Sequence, residues 1–174
     1  MEKVNVWTCK SWILGLIILI TFGTVGAATP DAFHRSYAWN FEGRQYEMTY
    51  AFDWDTYRFY QGKPRVFYNY AVYTYENPQY QILEEFAEAL RCMAENNGLD
   101  KKQTLNFVIA FVQQMKYQPE VGEYPKYPIE TLSEKGGDCE DTSILLSALL
   151  RELGYETIFI NPPRHIAIAV KCES

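Results

Sequence analysis

The 174-residue sequence predicts an α+β domain, with helices packed on a small antiparallel sheet and a membrane segment ahead of them. Three observations carry this. An alternating aromatic stretch stands early, several runs at helical spacing follow, and a strand–turn–strand pattern closes the chain. A hydrophobic content of 48% suits one packed core.

The first 28 residues stand apart. Lys3 and Lys10 precede "SWILGLIILITFGTVGAA", 18 residues without a charge. That pattern is a secretory signal or a single membrane span. Gly26, Ala27 and Ala28 could form a cleavage site. Lysines on the N-terminal side place that end inside and the rest outside, so the product is a single-pass membrane protein or a secreted one. Residues 29–36 read as a linker and 37–174 as the domain.

Beyond residue 28 the balance is 14 Lys+Arg against 21 Asp+Glu, and the whole chain carries −6. Such a surface repels phosphate backbones, and no basic patch is visible, which excludes nucleic acid as a partner. Cys9, Cys92, Cys139 and Cys172 show no CxxC pair and no regular spacing, so neither a zinc site nor a disulfide framework is expected.

Ten of the fourteen tyrosines fall between Tyr37 and Tyr80. Tyr46, Met48, Tyr50, Phe52 and Trp54 alternate as on a half-buried strand. "VFYNYAVYTY" is the second strand candidate, with "DWDTYRFYQGKPR" turning between them, so 37–76 is expected to be an aromatic β-hairpin. The core over 77–174 begins with Asn77-Pro78 as cap and first-turn proline. Ile82, Leu83, Phe86, Ala87, Leu90 and Met93 recur at helical spacing until Asn97-Gly98. Cys92 on this helix reads as an inert packing thiol. Asp100 and Gln103 form a capping-box pattern, and Leu105, Val108, Ile109, Val112 and Met115 mark the next inward face. Pro119, Pro125 and Pro128 make 117–132 a loop.

The chemistry concentrates in "GGDCEDTSILLSALLRELG". Gly136 and Gly137 permit close backbone approach, and Asp138 is a natural N-cap, which puts Cys139 on the first helical turn. Unpaired N–H groups and the positive helix pole there favour a thiolate and can hold an oxyanion. Glu140 and Asp141 oppose this by raising the thiol pKa. Asp138 and Asp141 read as helix-start residues rather than acid–base groups.

Of the two histidines, His34 falls in the linker and reads as solvated. His165 sits in "YETIFINPPRHIAIAV", a strand, a turn and a strand. The helix over 140–153 spans about 21 Å and the strand over 155–161 about 23 Å. A reversal at Gly154 therefore returns the Pro162-Pro163 turn to the helix start, with His165 beside Cys139. An imidazole that takes the thiol proton, and later protonates a leaving amine, supports cysteine acyl transfer. The bland alternative is a capped helix with a packed thiol and a turn histidine. A metal held by Cys139, Asp141 and His165 is poorly supported by the spacing.

These residues, with "LNFVIAFVQQMKYQPE", "GEYPKYPIETLSEKGGDCEDTSILLSALLRELGY" and "HIAIAV", resemble the transglutaminase-like superfamily, closest to its exported bacterial and archaeal members. The resemblance covers roughly 37–172. It implies a papain-like cysteine peptidase fold with Cys139 as nucleophile and His165 as base. The implied activity is that of an exported cysteine-dependent peptidase or amidase on a peptide or protein substrate, without a cofactor; deamidation and cross-linking belong to the same chemistry. Tyr124 and Tyr127 would shape the cleft wall, and Arg164 reads as solvated. Such families add an Asp, Asn or Glu on the strand after the histidine strand. Only nine residues follow His165 here. The resemblance therefore leaves three readings: a longer parent chain, an orienter from elsewhere, or a weak or inactive cell-surface binding module. Pairing of Cys172 with Cys139 would silence the site.

Overall fold

The structure is a computed structural model that describes residues 31–75, 79–120 and 122–171. The predicted membrane segment lies outside these residues. Among the described residues no helix is long and apolar enough to cross a membrane.

The chain opens with a hairpin of β1 (Ala32–Phe41) and β2 (Arg44–Asp53), paired antiparallel from Ala32–Asp53 to Phe41–Arg44. Glu42 and Gly43 turn it, both at positive φ. The alternation around Tyr46, Met48 and Phe52 is the β2 strand, and these three side chains are buried. Its partner differs from the expected one. Residues 32–36, expected as linker, begin β1, and "VFYNYAVYTY" is not a strand. That stretch holds a 3₁₀ turn over Tyr70–Thr74, and the Tyr73 hydroxyl bonds both Val66 N–H and Val66 C=O at 2.7 and 3.1 Å. A loop closed on its own backbone meets its hydrogen-bonding needs without a sheet. The expected turn between the strands is α1 (Trp54–Gln61), capped by Asp53.

Two long helices follow, α2 (Gln79–Asn96) and α3 (Lys101–Gln113). Leu83, Phe86, Ala87, Leu90 and Met93 of α2 are buried as their spacing requires. The capping box of Asp100 and Gln103 opens α3. Its buried face is Phe107, Val108, Phe111 and Val112, turned from the expected one, because the hairpin supplies aromatic partners to the phenylalanines. Trp39 lies 5.2 Å from the Phe107 ring and 5.1 Å from that of Phe111. Cys92 is disulfide-bonded rather than a packing thiol.

The expected loop contains α4 (Pro128–Glu134), with Pro128 at its first turn. Short strands β3 (Lys116–Tyr117) and β4 (Gly136–Gly137) pair in parallel beside it. Then come α5 (Cys139–Glu152) and an antiparallel pair, β5 (Thr157–Ile160) and β6 (Ala167–Val170). In place of one small antiparallel sheet there are, among the described residues, three two-stranded ones, β1–β2, β3–β4 and β5–β6. α5 packs on α2, α3, α4, the 3₁₀ turn, β4 and both closing strands, while the β1–β2 hairpin packs on α3 and α1. Ile144, Leu145, Ala148 and Leu149 are its buried face.

Candidate active site

The start of α5 is built by short side chains and bare backbone. A Cβ on Gly136 would stand 2.3 Å from the Lys116 carbonyl oxygen, and one on Gly137 2.4 Å from Asp141 Cβ. Only glycine lets these strands close on the helix. Asp138 then caps it reciprocally. Its Oδ1 accepts from the Asp141 N–H at 3.3 Å, and Asp141 Oδ2 accepts from the Asp138 N–H at 3.2 Å. Both residues are helix-start residues, as expected.

Cys139 follows directly, half-buried and a free thiol. Its Sγ donates to Glu140 Oε2 at 3.2 Å. Burial pushes the thiol pKa up, the Ile166 main-chain N–H pulls it down, and the Glu140 and Asp138 carboxylates raise it again. The predicted contribution of the helix pole is thus offset by the acids at its own end.

The predicted juxtaposition can be followed to Ile166. Ser143 Oγ, one turn into α5, donates to the Ile166 carbonyl at 3.1 Å. His165 is the preceding residue. Its own N–H closes the Pro162 turn at 3.1 Å, aided by Arg164 at φ +61. The imidazole is exposed and forms no hydrogen bond or ion pair among the described residues. The fold ties the residue after His165 to α5 and leaves the His165 side chain exposed. His34 lies exposed on β1, and Arg164 is exposed.

Two ionic clusters next to α5 had no signature in the sequence. Lys126, almost wholly buried, reaches Glu120 at 3.0 Å, Glu134 at 3.2 Å and Asp141 at 3.4 Å. Burial raises the Asp141 pKa to about 6 against the pull of the Lys126 and Asp138 amides and the Lys126 charge. Asp138 rises to about 7, first through burial and then through the charges of Asp141 and Glu140. In the second cluster Arg65 grips Glu130 with two bonds of 2.9 Å. Tyr124 joins it, its hydroxyl meeting Arg65 and Glu130 and its ring lying 4.0 Å under the guanidinium. Tyr127 is buried between Tyr60 and Tyr73. Tyr124 and Tyr127, expected as cleft wall, thus hold the 57–73 segment to α4. The aromatic closer to the thiol is Tyr70, whose pKa rises through burial and through the charges of Glu140, Glu123, Cys139 and Asp138.

No group of three His, Cys, Asp or Glu side chains among the described residues is arranged to hold a metal ion. Cys172, the feared partner of Cys139, lies outside those residues.

Residues 85–165 match the family model described as the transglutaminase-like superfamily. Neither the curated proteins nor the solved structures contain a significant match.

Proposed function

We propose that the domain is a cysteine-dependent peptidase or amidase with Cys139 as nucleophile and His165 as base. The observation that carries this is the bond from Ser143 to the Ile166 carbonyl, which ties the residue after His165 to the helix that Cys139 opens. In this reading the exposed ring turns to the S–H when substrate excludes water, since such contacts tighten in the bound state. His165 takes the thiol proton, and the thiolate sulfur attacks the carboxamide or peptide carbon. The C–N bond breaks, and the imidazolium gives its proton to the departing amine. Water then attacks the thioester, the imidazole accepts its proton, and carboxylate and free thiol are released. First-turn N–H groups of α5 face the developing oxyanion. Hydrolysis is preferred to cross-linking because water is the abundant acceptor and no amine site is marked.

A non-catalytic binding module of the same fold is the alternative. The bond from the thiol to Glu140 and the unbonded imidazole favour it. Alkylation by iodoacetamide at pH 7 separates the two. In the first reading Cys139 reacts faster than a free cysteine, and His165→Ala removes the advantage. Reaction at the free-thiol rate, unchanged by His165→Ala, leaves only the binding module.

We also propose export through the first 28 residues, either as a cleaved leader or as an anchor with the domain outside, acting on peptide or protein there. The uncharged run behind Lys3 and Lys10 supports it. Recovery of the expressed chain in the cytosolic fraction alone would end that proposal.

A further inference from the structure

An open cleft of about 610 Å³ runs along α5 between the Tyr68–Tyr75 segment and β5. Tyr70 and Ile166 line its end nearest the thiol. Its walls mix aromatic and aliphatic side chains with uncharged polar ones such as Asn69 and Asn161, and the apolar ones are open to solvent: Tyr68 is 99% exposed, Tyr75 58% and Ile158 64%. Among the described residues Arg151 is the one charged side chain lining it.

The guanidinium of Arg151 is placed rather than loose. It lies 3.6 Å from the centre of the Tyr75 ring, and Nη1 donates to Thr74 Oγ1 at 2.8 Å. Both contacts leave donors of the fork unused, and no described carboxylate lies within ion-pair distance of it. A helix C-terminus accounts for a basic residue here, but not for its stacking onto a cleft wall. An arginine held flat on an aromatic ring, with donors turned to a cleft, is suited to a carboxylate.

We propose that this cleft binds an extended peptide and that Arg151 selects for a carboxylate on it, resting on the reading of Cys139 as nucleophile. Arg151 and Cys139 are on one helix, 12 positions apart, so about 18 Å separates them along its axis. An extended chain covers that in about five residues. The preferred substrate is therefore an acidic peptide whose Asp, Glu or terminal carboxylate stands about five residues from the scissile carbonyl. Apolar side chains between them meet Tyr68, Tyr75 and Ile158.

The test uses chloroacetyl peptides that carry Glu or Gln at two to eight residues from the electrophile, with loss of free Cys139 thiol as readout. Labelling should be about tenfold faster for Glu than Gln at four to six residues, the factor of one charge-assisted bond. Arg151→Gln should erase that difference, and Arg151→Lys should keep part of it. Equal rates for Glu and Gln at every position in the unaltered protein overturn the proposal. Binding of the fluorescein-labelled Glu and Gln peptides to Cys139→Ser protein, followed by anisotropy, judges the anchor without the thiol. Glu preference there, with ordinary iodoacetamide reactivity of Cys139 in the unaltered chain, would keep the cleft and discard the catalyst. Equal binding alongside a reactive Cys139 would do the reverse.

Discussion

Ser143 Oγ donates to the Ile166 carbonyl at 3.1 Å, and this bond ties the histidine-bearing turn to the helix that Cys139 opens. Strand pairing with β5 fixes β6 along its length, but it does not set how far the turn before it leans toward α5. A single buried hydroxyl does that.

Ser143→Ala should therefore cost about 1 kcal/mol of stability, the worth of one such bond. It should also slow iodoacetamide labelling of Cys139 by more than that loss explains. Denaturant midpoints and labelling rates on one preparation check both. A stability loss with an unchanged rate would detach the bond from the site.

Glu140 holds the thiol proton in the resting arrangement. Glu140→Gln keeps the side-chain shape and removes a charge that raises the Cys139 pKa. The rate–pH profile of alkylation should shift to lower pH, with a gain at pH 7 of up to about tenfold, the factor of one pKa unit. An unmoved profile would show that burial alone keeps the thiol protonated.

Asp138 and Asp141 ionise at about 7 and about 6, both above the ordinary 3.8. The folded chain thus binds more protons than the unfolded one between about pH 4 and 7, and their contribution to stability falls as pH rises through that window. Asp138→Asn retains a good N-cap while removing one titration. Its unfolding free energy should fall less between pH 5 and 7 than that of the unaltered protein. Parallel pH profiles would contradict the shifted pair.

The Arg65–Glu130 pair is almost entirely out of solvent, with side chains 7% and 0% exposed. Removing one partner strands the other's charge, so Arg65→Met should cost about 3–5 kcal/mol. The double change Arg65→Met with Glu130→Leu should recover much of that in thermal unfolding. No recovery would mean that Arg65 acts through its stacking on Tyr124 instead.

Local signals are legible in the sequence wherever the controlling interaction lies within a few residues. Asp138 caps α5, Asp100 and Gln103 box α3, and the alternation from Tyr46 to Phe52 is a strand, because each depends on neighbours one to four positions away. The stretch 66–75 reads equally well as strand by composition, yet Tyr73 turns inward and bonds Val66 while Tyr68 turns out. Composition holds no record of which side of a doubly apolar segment meets a core. The residues 32–36 mislead in the opposite way, since polar His34 and Ser36 occupy the open face of β1.

The sequence by itself determined a cysteine at the mouth of a capped helix and a strand pair that returns Ile166 to that helix, because helix rise and strand rise are fixed lengths. Only the tertiary structure decided what surrounds the sulfur. Lys126 reaches Glu120, Glu134 and Asp141, Arg65 reaches Glu130 across 65 residues, and Arg151 meets Tyr75 across a cleft. Charges and rings separated by such spans are matched by packing, and packing has no period that a linear chain displays.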